Sequence, residues 1–183
     1  MQRRIDGHEH RVRPLTPSEI PHSTKRPVVF PGMQQGQLAP DFELPDQSGA
    51  LRSLDKLLAD GPLVLFFYPA ANTPVCTAEA CHFRDLAAEF AAVGATCVGI
   101  STDNVDTQAG FAEKQRLGYP LLSDADGAVA AKFGVKRGLL GKLAPVKRQT
   151  FVIDTDRTIR KVITGELRAA VHADEALNYL RTR

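Results

Sequence analysis

Residues 62–76, PLVLFFYPAANTPVC, constrain the fold more than any other stretch of the chain. Leu63–Tyr68 is an unbroken apolar run of strand length, the pattern of a strand buried on both faces. Pro69 ends the run, a short loop follows, and Thr73-Pro74 opens a helix. Threonine is a good N-cap because its hydroxyl can accept a backbone N–H bond, and proline suits the first helical position, where no donor is needed. A strand covered on both faces that leads directly into a helix belongs to a layered αβ domain. The same connection delivers a cysteine, Cys76, to the first turn of the helix.

The rest of the chain alternates in the same way from about residue 38. Phe42–Leu44 reads as a short strand between prolines, and Ser53 opens a weak helical turn through Leu58. Residues 74–93 read as one helix with Phe83, Leu86, Ala87, Phe90 and Val93 on one side, stopped by Gly94. Ala95–Ser101 is a second buried strand, 104–116 an amphipathic helix, Leu121–Leu122 a brief strand and 127–133 a short helix. Gln149–Asp154 and Thr158–Ile163 form a hairpin across Thr155-Asp156-Arg157, and 173–182 is the last helix. This order describes an α/β domain: a mixed central sheet with helices on both faces, the thioredoxin-like arrangement.

Two segments follow from this pattern: an N-terminal extension, 1–32, and a domain, 33–183. The extension has no apolar periodicity and holds five prolines, so it reads as mostly disordered. Its His8, His10 and His22 match no metal-ligand spacing. Met33 opens MQQGQLAPDFELPD, which reads as a domain start and as an alternative start of translation. The chain has 23 basic and 21 acidic residues; residues 1–40 hold six and three of these, leaving 17 and 18 in the body. A nearly neutral body argues against a nucleic-acid platform. No stretch of 18 or more apolar residues is present, and the N-terminus lacks the apolar core of a secretory signal. The expected compartment is a reducing cytoplasm, where three cysteines do not form a structural disulfide framework.

With Thr73 as N-cap, Cys76 occupies the third helical position. Backbone N–H groups there lack intrahelical partners and the helix dipole presents its positive end, so thiolate is favoured over thiol, and the thiolate is the nucleophile. At ~100° per residue Cys76 lies within ~40° of Glu79, Phe83 and Phe90, facing the sheet. Cys81 sits ~140° away around the helix and ~7.5 Å along it. Their Cα atoms would be ~8.6 Å apart, beyond the ~7 Å that a disulfide spans, so a Cys76–Cys81 bridge requires the first turns to unwind. Ala78 and Ala80 offer few side-chain contacts to oppose this. Cys97, in the middle of ATCVGIS, reads as a small buried hydrophobe.

Pro69 to Cys76 fits P-x-x-x-T-x-x-C, the active-site signature of the peroxiredoxins. The cysteine five positions on, the opening MQQGQLAPDFELPDQSG and the late VKRQTFVID resemble the bacterioferritin comigratory protein (peroxiredoxin Q) subfamily across residues 34–182. The resemblance implies a peroxidase without metal, haem or other cofactor. Cys76 would be the peroxidatic cysteine, oxidised to sulfenic acid by hydrogen peroxide or an organic hydroperoxide. Cys81 would resolve it as an intramolecular disulfide, and a thioredoxin-like protein would reduce that. Thr73 would hydrogen-bond thiolate and peroxide, Pro69 would shield the site from water, and Arg148 would be the active-site arginine, with Glu79 orienting it. Resolution within one chain makes a monomer the expected form and leaves a dimer open; no nucleic-acid or membrane partner is implied. The chain departs from the common pattern at Val75, where many members have glycine, and at Ala70-Ala71, where a charged pair is usual. Both positions bear on the pocket rim. Gly134–Lys147 is a glycine-punctuated basic loop, read as solvated first and as a partner-docking element second; its Arg137 is the weaker candidate for the active-site cation.

Three other readings compete. A thioredoxin-type disulfide exchanger needs Cys-x-x-Cys at the helix start, and the spacing here is longer. A zinc module on Cys76, Cys81 and His82 lacks a fourth ligand at usable spacing. A non-enzymatic redox sensor would use the same two cysteines, and peroxide turnover with a thiol reductant separates it from a peroxidase.

Overall fold

A computed structural model describes residues 32–138 and 145–183. The expected N-terminal disorder (up to residue 31) and the middle of the basic loop (139–144) lie outside the described residues. A five-stranded sheet forms the centre, in the order β5-β4-β3-β6-β7. The strands are β3 (Leu63–Phe67), β4 (Thr96–Ser101), β5 (Leu121–Ser123), β6 (Gln149–Ile153) and β7 (Ile159–Thr164). β3, β4 and β5 run parallel, while β6 is antiparallel to β3 and β7 to β6. The helices are α1 (Leu54–Leu58), α2 (Pro74–Asp85), α3 (Ala87–Ala92), α4 (Val105–Gln115), α5 (Ala128–Lys132) and α6 (Ala169–Arg181). The expected mixed sheet with helices on both faces is thus the observed architecture. Among the described residues, no helix is long and apolar enough to cross a membrane.

The continuous apolar run of β3 is explained by two cores. Val64, Phe66 and Tyr68 face one cluster with α2, α3, α4 and α6; Leu63, Leu65 and Phe67 face another with α1 and α5. Alternate side chains of a strand point to opposite faces, so a strand with a core on each side must be apolar throughout. Phe66 stacks on Phe83 of α2, ring centroids 4.2 Å apart and 9° from parallel. A fully buried aromatic is worth ~1.5–3 kcal/mol, and a well-placed ring pair adds ~0.5–1.5 kcal/mol. This contact holds α2 over the end of β3.

The structure differs from the sequence expectation in four places. The helix expected over 74–93 is two helices, parted at Leu86, which has φ −96° and ψ 10°. No proline or glycine marks that bend. The first strand, β1, is Glu43–Pro45, one residue later than expected, and it pairs antiparallel with an unanticipated strand, β2 (Leu51–Ser53). β2 is too short to show a period. The turn before it is built by Asp46, whose Oδ1 accepts from Ser48 N at 2.8 Å and Ala50 N at 3.1 Å, and whose Oδ2 accepts from Arg52 Nε at 2.8 Å. Finally, α6 begins at Ala169, four residues before the expected start; its N-cap, Arg168, makes no side-chain cap bond, so no capping residue marks that start in the sequence.

Candidate active site

Strand register brings the site together. Phe67 of β3 pairs with Gln149 of β6, and Gln149 pairs with Thr164 of β7. Arg148 therefore stands where β3 ends and the chain turns towards α2, with the residues after Thr164 on its other side. The loop between β3 and α2 is tied down by Asp103, whose Oδ2 accepts from Ala71 N at 2.8 Å and from Ser101 Oγ at 2.7 Å. Asn72 turns the chain with φ 61°, a left-handed conformation that asparagine tolerates better than most residues. Half-buried Pro69 begins this loop.

Thr73 is the N-cap of α2 in backbone terms: its φ is −87°, its ψ is 150°, and its carbonyl accepts from Thr77 N at 2.9 Å. Its side chain behaves differently from the expectation. The hydroxyl makes no cap bond and instead donates to Ala70 O at 3.0 Å, because the tight turn folds that carbonyl back within reach. Pro74 is the first helical residue and Cys76 the third, as expected.

Cys76 is 2% exposed and Arg148 3% exposed. The guanidinium is held at three nitrogens. Nη2 donates to Cys76 Sγ at 3.1 Å, Nη1 donates to Glu79 Oε2, and Nε donates to Glu166 O at 3.1 Å. Burial opposes charge on Arg148, but Glu79 and the Cys76 sulfur outweigh it and hold the guanidinium above its ordinary value. Burial also dominates at Glu79, pushing its carboxyl up to about 8 although Arg148 pulls it down. Glu79 lies on the same helical face as Cys76, as the wheel angles indicated, and is fully buried. Its second oxygen, Oε1, has no hydrogen-bond partner. Arg137 is not at the sulfur; it pairs with the Glu166 carboxylate.

The other cysteines are set apart. Cys81 is half-buried, and its Sγ donates to Gln115 Oε1 of α4 at 3.6 Å. Both Cys76 and Cys81 are free thiols in an unbroken α2, consistent with the helix geometry that forbids a bridge. Cys97 is buried, and burial alone pushes its thiol far up. It lines a cavity of about 230 Å³ beneath the α2–α3 bend, with Phe83, Phe90 and Tyr119; neither Cys76 nor Arg148 lines it. His82 pairs with Asp174 of α6 at 2.7 Å.

Sequence reasoning missed four groups around the two sulfurs: Asp103, Gln115, Thr150 and His172. Thr150 lies two residues after Arg148, which immediately precedes β6, and a polar residue next to the apolar Phe151-Val152-Ile153 run was the available signal. His172 is buried on α6, and the missing N-cap signal had left it outside the expected helix. Nothing local marks Asp103 or Gln115.

Comparison with known proteins gives this geometry a context. Residues 35–162 match the AhpC/TSA family. The crystal structure of peroxidoxin BcpB from Mycobacterium tuberculosis is 66% identical, covering 82% of this chain and 99% of that one, with a TM-score of 0.79. The chloroplastic peroxiredoxin Q of Arabidopsis thaliana is 39% identical over 164 residues, 90% of this chain and 74% of that protein. A structure of the Xanthomonas campestris bacterioferritin comigratory protein, solved to study its alkyl peroxide reduction activity, is 31% identical, covering 76% of this chain and 90% of that one, with a TM-score of 0.69. With the thioredoxin-like fold shared and most of its length matched, the chain belongs to the AhpC/TSA family, as a thiol-dependent peroxidase of the peroxiredoxin Q (bacterioferritin comigratory protein) type.

Proposed function

We propose that this chain reduces hydrogen peroxide and organic hydroperoxides through Cys76, with Cys81 as the resolving thiol. The observation that carries the reading is the Arg148 guanidinium 3.1 Å from the Cys76 sulfur at the first turn of α2, with both groups buried. The Cys76 thiolate attacks one peroxide oxygen; an S–O bond forms, the O–O bond breaks, and the leaving alkoxide or hydroxide takes a proton from solvent. Cys76 is left as a sulfenic acid, the reversible step of cysteine oxidation. Arg148 stabilises charge on the attacked and leaving oxygens. Thr73, its proton directed to Ala70 O, offers the lone pairs of Oγ1 to the peroxide O–H. Pro69 screens the sulfur from water, and Glu79 holds Arg148 in place.

The Cys81 thiolate then attacks the sulfenic sulfur; an S–S bond forms and hydroxide leaves as water. Because the intact helix keeps the two residues too far apart, this step needs α2 to unwind locally. A thioredoxin-like dithiol protein returns the disulfide to two thiols by exchange, supplying two electrons and two protons. The alkyl peroxide reduction activity named for the Xanthomonas relative supports the inclusion of organic hydroperoxides. Closure within one chain makes a monomer sufficient, in a compartment reducing enough to keep the partner dithiol available.

The test is turnover with hydrogen peroxide and an organic hydroperoxide in the presence of a thiol reductant. Cys76→Ser should consume no peroxide. Cys81→Ser should complete one turnover and stall as the sulfenic acid unless an external thiol resolves it. Mass spectrometry of the oxidised wild type should show Cys76 joined to Cys81; a Cys76–Cys97 link would refute the assignment.

A further inference from the structure

His172 takes no part in the chemistry above, yet it is a fully buried titratable residue within reach of it. Its Nε2 lies 2.8 Å from Gly165 O. A carbonyl only accepts, so Nε2 carries the proton. The other ring nitrogen, Nδ1, lies 2.9 Å from Thr150 Oγ1 and accepts from that hydroxyl in the neutral ring. Burial holds the imidazole below its ordinary value; the Gly165 bond opposes this and the Arg148 charge adds to it.

Two short paths join this ring to Arg148. One runs into β6: Arg148 immediately precedes the strand and Thr150 follows Arg148 by two residues, the spacing at which extended chain returns to one side. The other runs through the turn between β7 and α6. There, consecutive carbonyls are both taken: Gly165 O accepts from His172 and Glu166 O accepts from Arg148 Nε. The ring also faces Glu79, with Nδ1 3.8 Å from the unpartnered Oε1. The charged groups around it are Arg148 and Glu166, Glu79 of α2, and Glu175 of α6 itself. A cationic ring here would compete with Arg148 for Glu79; a neutral one leaves the Glu79 oxygens to the guanidinium.

We propose that His172 is a positioning residue for peroxide reduction: its Nε2–H imidazole clamps the Gly165–Glu166 turn and Thr150, so that Arg148 keeps Nη2 on the Cys76 sulfur. It acts through Arg148 and touches no reacting atom. The inference rests on the reading of Cys76 as the attacking thiol. A purely structural histidine would anchor α6 with no selective effect on the oxidation step.

The test uses the full chain with His172→Phe, His172→Asn and His172→Gln. Phenylalanine removes both polar contacts. Asparagine can reach Thr150 but not Gly165, and glutamine carries its amide N–H₂ out to the place of Nε2. Rapid quench with a thiol alkylator and mass spectrometry gives the rate of Cys76 oxidation by hydrogen peroxide and, separately, the rate of Cys76–Cys81 closure; Tm is measured alongside. Small misplacements of positioned groups cost up to ~100-fold in rate, so oxidation should slow by ~10–100-fold in the Phe and Asn variants. Closure should change little, and glutamine should restore oxidation to within a few-fold of wild type. A folded Phe or Asn variant that oxidises at the wild-type rate overturns the proposal, as does equal slowing of both steps. If the Phe variant does not fold, Asn against Gln decides, and equal rates for that pair, fast or slow, also overturn it. Cys76→Ser is run in parallel. If it still reduces peroxide, the reading of the site fails and the inference with it; if it is inactive and the His172 variants match wild type, only the inference fails.

Discussion

Two sulfurs sit five residues apart on α2 in opposite settings. Cys76 is enclosed, with a guanidinium on its sulfur, and that guanidinium is gripped by Glu79 and by the Glu166 carbonyl. Cys81 is half-exposed; its own thiol makes one long bond, and the firmer ties belong to its neighbours. Its thiol meets Gln115 Oε1 at 3.6 Å, Tyr119 Oη donates to the neighbouring Ala80 O at 2.8 Å, and Arg84 Nη1 donates to Gln115 O at 2.7 Å. The N-terminal half of the helix therefore has a fixed charge geometry, and the middle has looser side-chain ties. That contrast suits the roles proposed above: a thiol that meets a small oxidant needs its surroundings preorganised, and a thiol that travels to its partner needs contacts that are cheap to break.

The largest blow to this contrast is Arg148→Met. It removes the donor from Cys76 and leaves the Glu79 carboxyl buried without its hydrogen-bond partner, which should destabilise the fold by ~1–3 kcal/mol. Loss of a preorganised donor should slow Cys76 oxidation by ~100–1,000-fold. Rapid-quench oxidation and urea unfolding read the two effects. Wild-type oxidation by the variant would break the comparison at its strong end.

Glu79→Gln is a milder probe, and its signature is a pH dependence. In the unfolded chain this carboxyl loses its proton near its ordinary value of 4.5, whereas in the fold it keeps it to about 8. Between these values the folded state binds more protons, so this residue's contribution to stability falls as pH rises through the window. Urea midpoints from pH 5 to 8.5 should therefore decline more steeply in wild type than in Glu79→Gln. Parallel slopes would show that the carboxylate is not held this way.

The smallest effects belong to the moorings. Tyr119→Phe removes one bond while Ala80 O keeps its helical partner, and Gln115→Ala frees the Cys81 thiol. A hydrogen bond contributes ~0.5–1.5 kcal/mol net, so each change should speed disulfide closure by ~2–10-fold while leaving Cys76 oxidation unchanged. Slower closure would mean that these bonds guide Cys81 rather than restrain it.

Much of this molecule is legible locally. Leu63–Phe67 announces a strand with a core on each face. Thr73-Pro74 announces a helix start that places Cys76 in the first turn, and the wheel angles carry Glu79 to the same side. Even there, the Thr73 hydroxyl escaped prediction, since its partner depends on how the loop folds Ala70 back. The bend at Leu86 and the early start of α6 carry no glycine, proline or capping residue, and so no signal.

Residue types and their short-range spacing were sufficient for most of the elements, for the two candidate thiols and, through the family motif, for Arg148. They were sufficient because caps, strand periods and helical faces depend on neighbours a few positions away. The company each sulfur keeps is another matter. Arg148 reaches Cys76 across 72 positions of sequence, and Gln115 reaches Cys81 across 34. The His172 clamp joins β6, α6 and the turn before it. Those meetings depend on the pairing of Phe67 with Gln149 and of Gln149 with Thr164, and on α2, α4 and α6 sharing one face of the sheet. Only the packed tertiary structure sets that register, because nothing within a few residues of either cysteine specifies which distant side chain will lie against it.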